Sequence, residues 1–208
     1  MERVLVAYVT HSGSTQGVAE CMRDEFTALG YQAEACAATE VTDVSSYDAV
    51  VAGGLLYRFG WHPDVMHFLK KHESALRDRR VALFMTGLRI FRTPFCDEIP
   101  CPTFTDPNIL RQPSNPARLG LLERPATMEA YIKPLLPVIA TLEPESIGFF
   151  AGRLDLGALN TPERLLMRVL SALIGVPPGD YRNWEAIKSW VRSLDATGAR
   201  PADVSAGS

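Results

Sequence analysis

The sequence predicts an α/β fold in which a parallel sheet carries helices on both faces. Three observations lead there. Apolar runs at residues 4–9, 47–54, 80–87 and 146–152 alternate with stretches of helical periodicity. No hairpin signal joins one run to the next, so the strands need crossover connections. At 208 residues, the length suits one domain with a sizeable core and room for an insertion.

Val4 to Val9 is a β-branched run closed by a Thr/Ser/Gly turn, which reads as a buried strand. Thr15 to Leu29 carries Val18, Met22, Phe26 and Leu29 at helical spacing, and Gly30 stops it. Tyr31 to Cys36 is a weaker, alternating strand suited to a sheet edge. Tyr47 to Gly54 is a second buried strand ending in glycines. His62 to Ala75 is a helix with Val65, Phe68, Leu69 and Leu76 on one side, and Arg80 to Gly87 is the next apolar strand.

From Leu88 to about Thr127 the pattern breaks at Pro94, Pro100, Pro102, Pro107, Pro113, Pro116 and Pro125. Ile90, Phe91, Phe95, Ile99, Phe104, Ile109 and Leu110 argue against simple disorder there, and a loop this long inside a domain is either functional or unstructured. Regularity returns in a helix over Met128 to Leu142, interrupted by Pro134 and Pro137. Ser146 to Gly152 is the last core strand. Pro162 opens a helix to about Ile174. Its apolar girth leaves open a contact with a membrane, but at this length a buried helix is expected. Trp184 to Leu194 is the closing helix, which bounds the domain at 1–194, and residues 195–208 read as a disordered tail.

The formal charge of −3 argues against a nucleic-acid footprint. No secretory or membrane-spanning segment is evident, so a cytoplasmic location is expected, with peripheral contact at the inner face of the membrane as the open variant. Cys21, Cys36, Cys96 and Cys101 fit a reduced compartment and form no zinc-type pairs, so no metal is expected.

Thr10-His11-Ser12-Gly13-Ser14-Thr15 joins the first strand to the first helix. Its hydroxyls, the close approach that Gly13 permits and the free amides of a helix N-terminus make a phosphate cradle. With no lysine in the loop, the pattern is neither of the two common nucleotide loops, and a phosphomonoester suits it better than a triphosphate. The alternative is an ordinary turn with Ser14 or Thr15 as N-cap. In an open parallel sheet, ligands sit beyond the carboxyl ends of the strands. The neighbouring end, Gly53 to Trp61, sets Tyr57, Phe59 and Trp61 on a glycine-flanked loop, where aromatics either stack on a planar ring or pack under the insertion. A phosphate at one end and a flat ring at the other describe flavin mononucleotide (FMN). His11 and His62 lie close by, as polar surface or capping groups before proton donors.

These residues carry a family resemblance. The phosphate loop resembles the T-x-[TSD]-G-x-T loop of flavodoxin-like domains. Val51 to His62, Phe68 to His72, Phe150 to Leu154 and Asn183-Trp184-Glu185 are similar to the flavodoxin-type menaquinone-dependent protoporphyrinogen oxidases, over most of residues 1–87 and 146–194. The resemblance implies a three-layer sandwich around a five-stranded parallel sheet in order 2-1-3-4-5, with the insertion after strand 4. It implies that Thr10, His11, Ser12, Gly13, Ser14 and Thr15 hold the FMN phosphate. Leu55, Tyr57, Arg58, Phe59, Gly60 and Trp61 would flank the isoalloxazine, with Thr86, Gly87 and Leu88 against its other side.

Arg89, Arg92, Arg111, Arg118 and Arg124 are spread through the insertion. Arg89 and Arg92 either meet an anionic substrate such as the propionates of a porphyrinogen, or belong to a solvated loop surface. Cys96 and Cys101 are a redox pair or, as expected in a reducing compartment, incidental thiols. The expected function is an FMN-dependent oxidoreductase that takes protoporphyrinogen IX or another bulky substrate and passes electrons to a quinone. The alternatives are an electron carrier between redox partner proteins and an interaction domain that has lost its flavin. Fold alone does not choose among them.

Overall fold

Arg3–Val9 forms β1, whose side chains are covered on both sides: Leu5, Ala7 and Val9 enter one core, Val4 and Val6 the other. The same division runs through β3 (Ala49–Tyr57), β5 (Arg80–Gly87) and β9 (Ser146–Ala151), which is why these strands are near-continuously apolar. In register, Ala7 lies beside Ala52, Ala52 beside Leu83 and Leu83 beside Ile147, one layer of the first core. The computed structural model describes residues 1–57, 60–91, 93, 99–113, 115, 118–121, 123–158 and 161–198.

The chain runs from β1 through α1 (Ser14–Ala28), β2 (Gln32–Ala37), β3 and β4 (Gly60–Trp61) to α2 (Pro63–Lys71) and α3 (Glu73–Leu76). After β5 come β6 (Ile90–Phe91), β7 (Thr103–Thr105), β8 (Leu110–Arg111), α4 (Met128–Ile132) and α5 (Leu136–Leu142). Then follow β9, β10 (Arg153–Leu154), α6 (Thr161–Ile174), β11 (Gly179–Asp180) and α7 (Trp184–Gly198). The main path of the sheet is β2-β1-β3-β5-β9-β7, all parallel. Its first five strands have the expected order 2-1-3-4-5, with β2 at the edge. Phe26 and Met22 of α1 and Trp190 and Ile187 of α7 cover one face; Phe68 and Leu69 of α2, Tyr131 of α4 and Ile139 of α5 cover the other.

Four features differ from the sequence reading. Between 88 and 127 the chain is not structureless: β7 joins the sheet beside β9, and β6 pairs with β8. Ile90, Phe91 and Ile109 are buried there, because they fill the first core at the end of the sheet. A hairpin is present after all, since β4 folds back antiparallel on β3, with Leu56 opposite Trp61 and Tyr57 opposite Gly60. The helix expected over His62 to Ala75 breaks at His72 into α2 and α3, and the closing helix runs on to Gly198. Residues 199–208 of the expected tail lie outside the described residues.

The fourth difference is α6. Among the described residues only Ser171 is buried on it, while Leu165, Leu166, Val169 and Leu173 face outward. Its apolar residues are compatible with burial, but the described residues supply no surface that covers the outer ones. No helix among the described residues is long and apolar enough to cross a membrane.

Gly53 shows how tightly the centre is packed. A side chain there would run into the Phe84 carbonyl oxygen, 2.1 Å from the Cβ position, and into the Phe84 ring. Gly53, in the middle of β3, is therefore a steric requirement of the neighbouring strand.

Candidate functional site

The carboxyl ends of β1, β3 and β5 lie side by side. Val9 is beside Gly54 and Leu55 beside Thr86, so the loop that begins at Thr10 emerges next to Leu55. Gly13 adopts φ 79° as the N-cap of α1, and no side chain caps that helix. The ordinary turn capped by Ser14 or Thr15 is therefore not what forms. The helix presents its amino end, with its partial positive charge, to the loop.

The hydroxyls of the loop differ in what they do. Thr15 is fully buried and its Oγ1 meets Thr86 Oγ1 at 3.0 Å. That contact ties the first turn of α1 to the end of β5, and each hydroxyl keeps capacity for a further hydrogen bond. Thr10 Oγ1 is buried with no hydrogen-bond partner among the described residues. His11, Ser12 and Gly13 are exposed, and Ser14 is half-buried. A buried unpaired hydroxyl beside an uncapped helix start fits a bound oxyanion, since such a group costs stability unless something bonds to it.

At the ring end, Leu55 and Gly60 are half-buried, and Tyr57 is 40% exposed with its ring 4.9 Å from the His62 ring. His62 is the N-cap of α2: its side chain accepts from the Asp64 amide at 3.2 Å. Trp61 is not brought to this cluster. It is 7% exposed, packs in the first core, and its indole N–H donates to the Tyr131 carbonyl at 2.8 Å. β-strand alternation accounts for this: Trp61 stands opposite Leu56, and its side chain falls on the α4 side of the sheet. Arg58 and Phe59 lie outside the described residues.

On the far side, Thr86 is buried, Gly87 and Leu88 are half-buried, and Gly87 accepts a 2.7 Å hydrogen bond from the Gly152 amide. The insertion is anchored at the same place. Asp106, fully buried, accepts from the Ala151 amide at 3.0 Å, the Asn108 amide at 2.9 Å and Asn183 Nδ2 at 3.1 Å. Ala151 is the strand neighbour of Gly87.

Three arginines of the insertion, Arg89, Arg111 and Arg124, are engaged with backbone. Arg89 donates to the Ile174 carbonyl at 3.4 Å and stands 5.1 Å over the Phe91 ring, and burial lowers its pKa from the ordinary value. Arg111 donates to the Asn108 and Leu110 carbonyls and Arg124 to the Leu119 carbonyl, which is the behaviour of loop supports. Arg118 is exposed. Arg92 and Cys96 lie outside the described residues. Cys101 is a free thiol, pushed up to about 11 by burial, and donates to the Pro144 carbonyl at 3.2 Å.

One residue that the sequence reading did not name lies against the phosphate loop. Arg182 places Nη1 3.4 Å from the Ser14 carbonyl, with its guanidinium 4.6 Å over the Trp184 ring. Gly17 makes the approach possible, since a Cβ there would sit 2.8 Å from Nη1. Asp180 holds Arg182 in place, raising the arginine's pKa while its own falls. Among the described residues no group of His, Cys, Asp or Glu is placed to hold a metal ion.

The family model described as a flavodoxin domain matches residues 5–175, which contain the main sheet apart from the first two residues of β1. The chain belongs to the flavodoxin domain family. No curated protein matches it. Among solved structures, this flavodoxin domain is similar to a flavodoxin from Streptococcus pneumoniae, at 11% identity over 94% of this chain and 99% of that one, with a TM-score of 0.48. It is also similar to a Fusobacterium nucleatum flavodoxin variant bound to flavin mononucleotide, at 12% identity over 95% and 97%, with a TM-score of 0.49. A flavo-diiron protein variant from Thermotoga maritima is similar at 13% identity over 94% of this chain and 36% of that one, with a TM-score of 0.47.

Proposed function

We propose that this flavodoxin domain is an FMN-dependent oxidoreductase. FMN is the cofactor that membership of the family supports, and the observation that carries the reading is the unpartnered Thr10 hydroxyl beside the uncapped start of α1. In the proposed arrangement Thr10 to Thr15 hold the phosphate. Leu55, Tyr57, Arg58, Phe59 and Gly60 flank the ring on one side, with Thr86, Gly87 and Leu88 on the other. Trp61 supports that loop from the core side. Bound there, FMN supplies the redox chemistry; the chain binds it, orients it and limits its access to water.

Protoporphyrinogen IX, or another bulky anionic molecule, is the proposed substrate, and a quinone the proposed acceptor. The anchoring of the insertion through Asp106 at the strand neighbour of Gly87 supports this, because it sets a folded segment beside the proposed ring position. A flavodoxin-type carrier that passes electrons between partner proteins is the second reading, and the family supports it equally.

The absorption spectrum of the purified protein with added FMN tests the cofactor: flavin bands that bleach with dithionite are expected, and failure to bind micromolar FMN overturns the reading. Turnover of protoporphyrinogen with a menaquinone analogue then separates enzyme from carrier. Replacing Arg89 and Arg92 by alanine should raise KM for an anionic substrate with FMN content unchanged; unaltered kinetics remove the two arginines from the site.

A further inference from the structure

The proposed chemistry does not use α6, and α6 is the least covered helix of the domain. Leu165, Leu166, Val169 and Leu173 are 66%, 60%, 52% and 65% exposed. At 3.6 residues per turn these four positions share an arc about 100° wide, the width of an apolar stripe that ordinarily faces a core. Met167, Leu170, Ser171 and Ile174 lie on the opposite side and make what contact the helix has with the domain. Arg168 lies on the flank of the outward stripe, and Arg164, one turn earlier, lies on the side of Ser171. Arg164 donates to the Leu156 carbonyl, while Arg168 is exposed and pairs with no carboxylate among the described residues.

We propose that α6 is a membrane-docking element that lies flat on an anionic lipid surface. Its stripe enters the boundary between headgroups and acyl chains, and Arg168 on its flank meets lipid phosphates. An apolar stripe with arginine on its flank is the arrangement of helices that bind in the plane of a bilayer, and it needs only shallow burial of leucine-sized side chains. The charge argument separates lipid from a second copy of this chain. A two-fold antiparallel pairing of α6 with its copy sets Arg168 against the Arg168 of its partner, which is repulsive, whereas anionic headgroups complement it. Four aliphatic side chains also fall well short of the roughly 800 Å² per partner that a stable pair of copies buries.

The position of α6 gives the docking a purpose. The carbonyl of Ile174, its last residue, accepts from Arg89, two residues beyond Gly87. Docked through α6, the flavodoxin domain carries the carboxyl edge of its sheet close to the bilayer, where a lipid-soluble electron acceptor is concentrated. The docking itself does not depend on flavin and is tested without it.

The test is co-sedimentation of the full chain with vesicles of phosphatidylcholine mixed with phosphatidylglycerol, against phosphatidylcholine alone. Wild-type protein should bind the mixed vesicles, less so at high salt. Leu165→Gln combined with Leu173→Gln should weaken binding about tenfold or more, and Arg168→Glu about fivefold or more on the anionic vesicles only. Both variants alter exposed positions, and an unchanged far-UV spectrum and Tm show that they fold. No binding by the wild type, or equal binding by the apolar variant, overturns the proposal. So does a lipid-free dimer that Leu165→Gln with Leu173→Gln dissociates, because a second copy then covers the stripe.

Discussion

Thr15, in the first turn of α1, and Thr86, near the end of β5, join hydroxyl to hydroxyl at 3.0 Å across 71 residues of sequence. Both side chains are buried, so neither has water to fall back on. This contact holds the phosphate loop against the strand that forms the other wall of the proposed flavin site.

Breaking the pair from one side should cost more than removing it. Thr15→Val or Thr86→Val leaves one hydroxyl buried without its partner, at about 1–3 kcal/mol, whereas the double variant should recover much of that loss. Urea denaturation of the four proteins measures the coupling. Additive losses would mean that the two hydroxyls do not depend on each other.

Gly13→Ala tests the loop backbone. The residue sits at φ 79°, and an added Cβ would meet nothing within 4 Å, so the whole penalty is conformational. It should be about 1–2 kcal/mol, with Gly13→Asn costing less. FMN affinity, followed by fluorescence quenching, should fall with the alanine because the amides shift.

Trp61→Phe separates packing from ring stacking. Loss of the indole donor to the Tyr131 carbonyl should lower stability by roughly 1–3 kcal/mol. The FMN Kd should move by less than about twofold. A large rise in Kd with unchanged Tm would place Trp61 against the flavin instead.

His72 is buried, its Nε2 has no partner among the described residues, and burial, with Lys71 nearby, holds its pKa below the ordinary 6.5. The folded state therefore favours neutral imidazole, and the unfolded chain takes up a proton at higher pH than the fold does. Its contribution to stability is complete above pH 6.5 and is lost as pH falls from there through the depressed folded value. Denaturation midpoints measured across that range should decline, and the decline should be shallower in His72→Gln.

Cys101 should resist alkylation in the native protein at neutral pH, since burial pushes its thiol up to about 11 and only the thiolate attacks. Mass spectrometry after iodoacetamide, with and without denaturant, checks this. Fast native labelling would reopen exchange with Cys96.

The sequence by itself determined the sheet and the loop at its end. β1, β3, β5 and β9 are buried on both faces, and that demand writes itself as uninterrupted apolar runs separated by helical periods. The T-x-S-G-x-T loop was equally legible, because a left-handed glycine and clustered hydroxyls are local requirements. Tertiary structure alone decided where Trp61 points, that residues 103–105 extend the sheet, that Arg182 leans on the start of α1 through the space at Gly17, and that α6 is left uncovered. Periodicity states that a side chain is apolar and on which side of its own element it lies. Which surface, if any, comes to cover it depends on contacts between segments distant in sequence, and only the folded chain contains those.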